Sequence, residues 1–524
     1  MVGSEVIIRG ITTRLEPGTG FYIEEPGSDA SPTSSNAIFV EDKVLSHAAK
    51  LGQIIMISGQ VAELGKAKDT LTALTGISSH QLCDINIDLP QTHMELPLNS
   101  RQREAMESMR ITLGQNLSVS DVYNLHRGEV TLSAGGVLGA PTEHHQPGPL
   151  STSAAKKNQR MSVRIALPGS SRPLLLTGFM VDQVTGIMGN NGKGQVFLLE
   201  QPLKSDRPQS PELKPPDNDH IRLVSFNLQN FFNGDGRGGG FPTERGAKTY
   251  NDFLAQANRI RSAIAIMKPH LLAVQELEND GFGPLSAART LVKLLKESGH
   301  GSWSAVKPTL ARIGKDDITV GLFYRSDILE PAGPAHILDS APFRGINRQP
   351  LAQLFQDRST GQRFLVAVIH LKSKVSCPKT GKNSDQRDGQ GCWNPARVAA
   401  AKAVAGWLNG LAVQSGTDRI LILGDMNSAR NEDPVRVLRN QGFTELVEQI
   451  AGLPQHSYVY RGETSTLDYA FASDAVLPSV SHAQIWHINS GWPQKMELPR
   501  PWLRSSDHDP VVVDLDFNQR DTSD

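Results

Sequence analysis

The segment KSDRPQSPELKPPDNDH, from Lys204 to His220, divides a chain whose two sides obey different patterns. Dense in proline, aspartate and serine, it reads as an extended linker. After it, strand-like apolar runs alternate with helical stretches. The runs are IRLVSFNLQNFF, LLAVQELE, ITVGLFYRS, FLVAVIHLKS, RILILGDMN, STLDYAFAS and PVVVDLDF. The helical stretches are YNDFLAQANRIRSAIAIMK, SAARTLVKLLKES and NPARVAAAKAVAGWLNGLA. That alternation predicts an α/β domain over residues 220–519, with a linker at 204–219.

Before the linker, short alternating runs such as VIIRGITTRL, GFYIEE, AIFVED and QIIMISGQVAEL are punctuated by glycine, proline and asparagine. They predict a small OB-like β-barrel over 1–95, followed by a second β-rich domain over 96–203. Phe21, Tyr22 and Phe39 are available as a stacking surface for single strands, and core positions explain them equally well. His144 and His145 read first as a solvated loop rather than metal ligands.

At 524 residues the chain is long enough for several domains, and 38% hydrophobic with 20% charged residues is a globular composition. No run of about 18 apolar residues is present, so no membrane-spanning helix is expected. The net charge of −1 excludes a whole-protein positive field, so any nucleic-acid attraction must be local. The N-terminus enters a strand pattern at once and, read literally, shows no export signal; a processed or truncated start is the competing reading. Cys377 and Cys392 flank a polar loop, and the readings are a loop-pinning disulfide or two buried thiols.

The chemistry sits at strand ends, where an α/β domain builds its sites. Asn227 follows RLVSF, Glu276 follows LLAVQ and His370 ends FLVAVI. Asp425 and Asn427 follow ILILG, Asp468 opens DYAFAS, and Asp507 and His508 precede PVVVDL. A single such residue is ordinarily a turn cap. Eight of them at strand ends of one domain are hard to account for as turn chemistry.

FNLQN, VQELEN, IHLKSK, GDMN, LDYAF and SDHDP, in this order, resemble the signature of the endonuclease/exonuclease/phosphatase superfamily. RGAKTYNDFLAQANRIRSAI, DGQGCWNPAR and the β-rich N-terminal region together resemble bacterial extracellular nucleases with an OB-like module. The resemblance implies a four-layer α/β/β/α sandwich and metal-dependent phosphodiester hydrolysis of DNA, and leaves open whether RNA is also cut. It also favours the Cys377–Cys392 disulfide and an extracellular or periplasmic location.

Within it, Glu276 is the expected ligand of Mg²⁺ or Mn²⁺, with Asn227 and Asp507 completing or orienting the shell; Ca²⁺ would be structural or co-activating. His508 is the base or the charge partner, oriented by Asp468. Asp425 positions or deprotonates the attacking water, and Asn427 donates to a phosphate oxygen. His370 binds phosphate or protonates the leaving oxygen, with Asp317 as its candidate partner. Tyr324, Lys372 and Arg397 are candidate substrate contacts, with Arg325 and Lys374 beside them; a structural strand-end pair for Tyr324–Arg325 and a solvated face for Lys372, Lys374 and Arg397 are the equal alternatives. Arg237, Arg245 and Lys248 could arm the glycine-rich insert NGDGRGGGFPTERGAK, for which a plain loop is the alternative. GDMNSARNEDP and TSTLDYAF depart from the inositol-phosphatase pattern. The competing functions are a non-catalytic nucleic-acid-binding scaffold and a sphingomyelinase-type phosphodiesterase; no exposed aromatic hairpin is expected.

Overall fold

The computed structural model describes residues 2–25, 34–66, 69–170, 172–191, 194–204, 211–217 and 219–518. Residues 205–210 and 218 of the predicted linker lie outside them. The chain forms two compact units. One comprises Met1–Leu138, Lys156–Pro208 and Pro493–Met496; the other comprises Gly139–Ala155, Gln209–Trp492 and Glu497–Asp524. Among the described residues no helix is long and apolar enough to cross a membrane.

The first unit opens with a closed barrel of β1 (Glu5–Glu16), β2 (Gly20–Glu24), β3 (Ala37–Val40), β4 (Gln53–Lys66) and β5 (Asp69–Asn86), ordered β1-β2-β3-β5-β4. Side chains alternate across a strand, so β2 serves two cores. Phe21 and Ile23 point into the barrel with Val40, Ile55 and Leu74. Tyr22 points outward and packs with Phe39, Leu71, Ala73 and Ile187. Ile187 belongs to an eight-stranded sheet of the same unit, so region 1–95 falls in one compact unit with 96–138 and 156–203. Phe21, Tyr22 and Phe39 are 0%, 2% and 5% exposed, which removes them as a stacking surface.

The second unit holds two sheets. One has at its centre β6 (Ile221–Phe231), β7 (Leu271–Glu278) and β8 (Ile318–Arg325). The other is built around β9 (Leu351–Asp357), β10 (Arg363–His370), β11 (Ile420–Asp425) and β12 (Asp468–Ser473). The first continues through β14 (Val511–Leu515) to β13 (Val480–Ile485). Pairs β6–β7 and β10–β11 are parallel, bridged by α1 (Tyr250–Met267) and α3 (Asn394–Ser415), as parallel crossovers require. The apolar run of β10 follows from burial on both faces. Phe364, Val366 and Val368 join a core shared with Leu223, Leu271 and Val320 of the other sheet. Leu365, Ala367 and Ile369 point the other way, onto Ala401, Val404 and Leu408 of α3.

Segment 139–155, expected within the second β-rich domain, belongs to this unit. The Ala140 and Asn431 N–H groups donate to Thr464 O and Thr142 O. Ser465 Oγ and Thr466 N donate to the buried Glu143 carboxylate, at 3.0 and 2.7 Å.

Candidate active site

Register assembles the site. His370 stands opposite Asp425 in the parallel β10–β11 pair, and Asp425 stands opposite Asp468 in the antiparallel β11–β12 pair. Partners directly across a ladder share a face, so three adjacent strands bring these side chains together. β14 runs antiparallel to β6, with Val511 opposite Ser225. The residues just before β14, Asp507 and His508, therefore arrive beside Asn227.

Both central strands of the first sheet lose regular pairing at this point. The β6–β7 register shifts between Asn227 and Phe231, and the β7–β8 register shifts between Val274 and Leu277. Glu276 has φ +60° and Asn427 +48°, left-handed values that non-glycine residues rarely adopt. An irregularity of this kind re-aims a side chain, here the Glu276 carboxylate into the cleft.

The cleft has a volume of about 650 Å³. Glu276, Asp425, Asn427, Asp507, His370 and His508 all line it. Asn230 N donates to Glu276 Oε2 at 2.9 Å. Asn227 Nδ2 donates to Asp425 Oδ2 at 3.3 Å, while Asn427 donates to the same carboxylate from Nδ2 (3.1 Å) and from its backbone N (2.7 Å). His508 Nδ1 meets Asp468 Oδ2 at 2.7 Å, and Ser457 Oγ donates to that oxygen at 2.7 Å. Asp468 thereby fixes the imidazole and leaves Nε2 for the cleft. Tyr458 packs on the His508 ring at 4.6 Å.

Burial pushes the Glu276 carboxyl above its ordinary range, and the neighbouring Asp507 adds to the effect. Burial likewise raises Asp425. Burial works against a charged His508, but Asp468, Asp425 and Asp507 outweigh it and hold the imidazolium well above the ordinary histidine value. His370 goes the other way: burial, then Arg348 and His508, keep it neutral. Its Nε2 lies 3.5 Å from Asp425 Oδ2 and 3.4 Å from Arg348 Nη1.

Four expected contacts lie elsewhere. Asp317 bonds Arg245 at 3.3 Å, not His370. Tyr324 is opposite Leu271, at the start of β7, because β8 runs antiparallel to β7. Five residues separate Leu271 from Glu276, about 16 Å of strand, so Tyr324 sits at the far end, packed on Phe355 at 5.3 Å. Its neighbour Arg325 pairs with Asp327. Arg397 is fully buried and donates to the Lys372, Cys392 and Gln390 carbonyls, so it holds a loop rather than substrate. Lys372 stands over the Trp393 ring at 5.4 Å and does not line the cleft.

Lys374 and Arg245 do line it. Lys374 Nζ is 2.5 Å from the buried Glu432, which also accepts from Thr142 Oγ1 at 2.9 Å. Arg237 lies instead in a groove with Tyr250 and Arg289, and Lys248 lines neither. His144 and His145 are outside the cleft lining, although their neighbours Pro141 and Thr142 are in it. Cys377 and Cys392 are joined in a disulfide with Cα atoms 5.5 Å apart.

Sequence reasoning missed Arg348. Asp316 Oδ2 holds it at 3.0 Å, and it lines the cleft beside His370. Its segment, INRQP, offers no local signal; only β8 direction and register would have placed Asp316 there. Tyr460 was missed too: it is 58% exposed on a hairpin of Tyr458–Tyr460 and Glu463–Ser465 at the cleft, contrary to the expectation of no exposed aromatic hairpin.

The model of the Endonuclease/Exonuclease/phosphatase family matches residues 224–508, more than half the chain. The chain belongs to that family. Members of the family are hydrolases of phosphate esters that typically use divalent metal ions. Among solved structures, the human Nocturnin catalytic domain is 15% identical, over 57% of this chain and 95% of that one, with a TM-score of 0.38. A family member from Bacteroides vulgatus is 16% identical over 56% and 98%, with a TM-score of 0.38. D. rerio TDP2 complexed with single-strand DNA product is 15% identical over 57% and 99%, with a TM-score of 0.35. A comparison with curated protein sequences found no significant match.

Proposed function

We propose that the protein is a metal-dependent endonuclease that hydrolyses DNA phosphodiester bonds. One observation carries the reading: register and bulges bring Glu276, Asp507, Asp425, Asn427, His370 and His508 to a single cleft rimmed by Arg245, Arg348 and Lys374.

Glu276, Asp507 and Asn227 supply hard oxygen donors for Mg²⁺ or Mn²⁺, with Ca²⁺ a co-activating or structural ion. The mutual repulsion of buried Glu276 and Asp507 is the electrostatic demand a cation meets. A bound cation supplies Lewis-acid stabilisation of phosphate charge. Asp425, steadied by Asn227 and Asn427, takes the proton of the attacking water. His508, fixed through Nδ1 on Asp468, offers Nε2 to a phosphate oxygen. His370, 3.5 Å from Asp425, and Arg348 beside it hold the phosphate as the 3′ oxygen leaves.

The core shared by the two sheets, with α3 on an outer face, supports a four-layer sandwich. The order β1-β2-β3-β5-β4, closed by a parallel β3–β5 pair, supports an OB-like barrel. The disulfide supports an extracellular or periplasmic location, since such bonds persist in oxidising compartments. Tyr460, with Arg461 5.2 Å over its ring, gives the rim a surface for a base or sugar.

The test is cleavage of supercoiled plasmid, linear duplex and RNA under Mg²⁺ or Mn²⁺. The reading expects nicking of the plasmid; cleavage of RNA alone would overturn the choice of DNA.

A further inference from the structure

His456, His487 and Asp509 lie outside the lining of the cleft. The two imidazoles face each other at 4.4 Å between centroids, with 19° between their planes. Asp509 is 1% exposed. Its Oδ1 accepts from the backbone N–H groups of Asn489 (2.6 Å) and Ser490 (3.1 Å). Its Oδ2 accepts from Ser490 Oγ (2.5 Å) and lies 3.3 Å from His487 Nδ1. His456 makes no side-chain hydrogen bond among the described residues. One nitrogen from each imidazole and one carboxylate oxygen all fall within 4.8 Å of one another.

Three separate segments thus bring ligand atoms of two imidazoles and one carboxylate within 4.8 Å of one another. Donor atoms around a tetrahedral ion with bonds of about 2.0–2.1 Å stand roughly 3.3 Å apart, and the His487–Asp509 pair already has that spacing. Asn489 and Ser490 orient the carboxylate, as outer partners do at metal sites. The His487 side chain is 41% exposed, which gives an ion a route from solvent and leaves room for water as a fourth ligand.

We propose that His456, His487 and Asp509 form a second metal site, separate from the catalytic cleft, for a divalent transition ion of the zinc class. Two imidazoles and one carboxylate with an open position suit that class better than Mg²⁺ or Ca²⁺, which take all-oxygen shells. An ion there joins the residue before Ser457 to the residue after His508. It therefore pins from behind the two segments that carry the Ser457–Asp468–His508 contacts.

The test needs no activity and does not depend on the assigned function. The full-length chain carrying Glu276→Ala, which weakens the cleft for cations, is loaded with Zn²⁺ and passed into metal-free buffer. Bound zinc is then measured per chain. His487→Gln and His456→Phe are added singly; the second keeps an aromatic ring in the stack but removes both nitrogens. The inference expects each to retain one Zn²⁺ fewer than the parent, with unchanged circular dichroism. It also expects Co²⁺ to give visible absorption with the parent and none with the histidine variants. Equal zinc in parent and variants, or no zinc retained by the parent, overturns it. If His456→Phe fails to fold, the half-exposed His487→Gln decides alone.

Discussion

His508 has one nitrogen on Asp468 and the other toward the cleft, so the Asp468 oxygen fixes the ring angle and helps hold the imidazolium charge. Asp468→Asn keeps the shape but can present an N–H to Nδ1. We expect kcat on plasmid or oligonucleotide substrate to fall about 10²-fold with KM nearly unchanged, since one preorganised donor to the charge that develops in the transition state contributes about that much. A wild-type kcat would remove Asp468 from the mechanism. At this scale the sequence was informative wherever an acidic, amide or histidine residue ended an apolar run. It was silent on Arg348 and Ser457, whose roles depend on neighbours far away in the chain. Arg397 misled because a charged residue opening a helix reads as solvated; here three loop carbonyls satisfy a fully buried guanidinium.

Among the elements, strand direction separates the expected residues that reach the cleft from those that do not. GDMN and LDYAF were legible because an apolar run plus a terminal carboxylate places a group at a sheet end whichever way the strand runs. Tyr324 failed because the end of an antiparallel β8 lies away from the cleft, whereas its start, Ile318, lines it. The loop closed by Cys377–Cys392 spans 15 residues and carries Gly389 into the cleft wall. Closing a loop of that length contributes about 3 kcal/mol in the chain-entropy account. Replacing both cysteines by serine is therefore expected to lower Tm in calorimetry. Reductant should lower the wild-type Tm similarly and leave the variant unmoved; a variant that melts with the wild type would contradict this.

Segment 139–155 carries its own pH signature. Burial raises the Glu143 carboxyl from 4.5 to about 7, against hydrogen bonds from Thr466 and Ser465 that lower it. A carboxyl held above its unfolded value stabilises the fold when protonated. That contribution is complete below pH 4.5 and is lost as pH rises through about 7. Glu143→Gln mimics the protonated form. Its Tm should run parallel to the wild type below pH 4.5, then gain on it up to about pH 7, by at most about 3 kcal/mol in stability. A constant difference across that range would show that Glu143 does not titrate there.

For the whole molecule, the change of texture at the linker falls near the boundary between the two compact units. The two departures came from long-range packing that periodicity does not carry. Tyr22 and Phe39 join the barrel to a neighbouring sheet, and Thr142 and Glu143 belong with loops nearly 300 residues away. Neither association leaves a local signal, because each uses residues that suit their own strand or turn equally well. What survives both corrections is one cleft in one unit, lined by Glu276, Asp425, Asp507, His370 and His508 together with Arg245, Arg348 and Lys374. The most direct test is nicking of supercoiled plasmid by wild type and Glu276→Ala, each with Mg²⁺ or Mn²⁺ and with EDTA. The account predicts metal-dependent nicking by the wild type, abolished by EDTA, and a loss of roughly 10³-fold or more in the variant. Nicking that persists in EDTA, or a fully active Glu276→Ala, would contradict it.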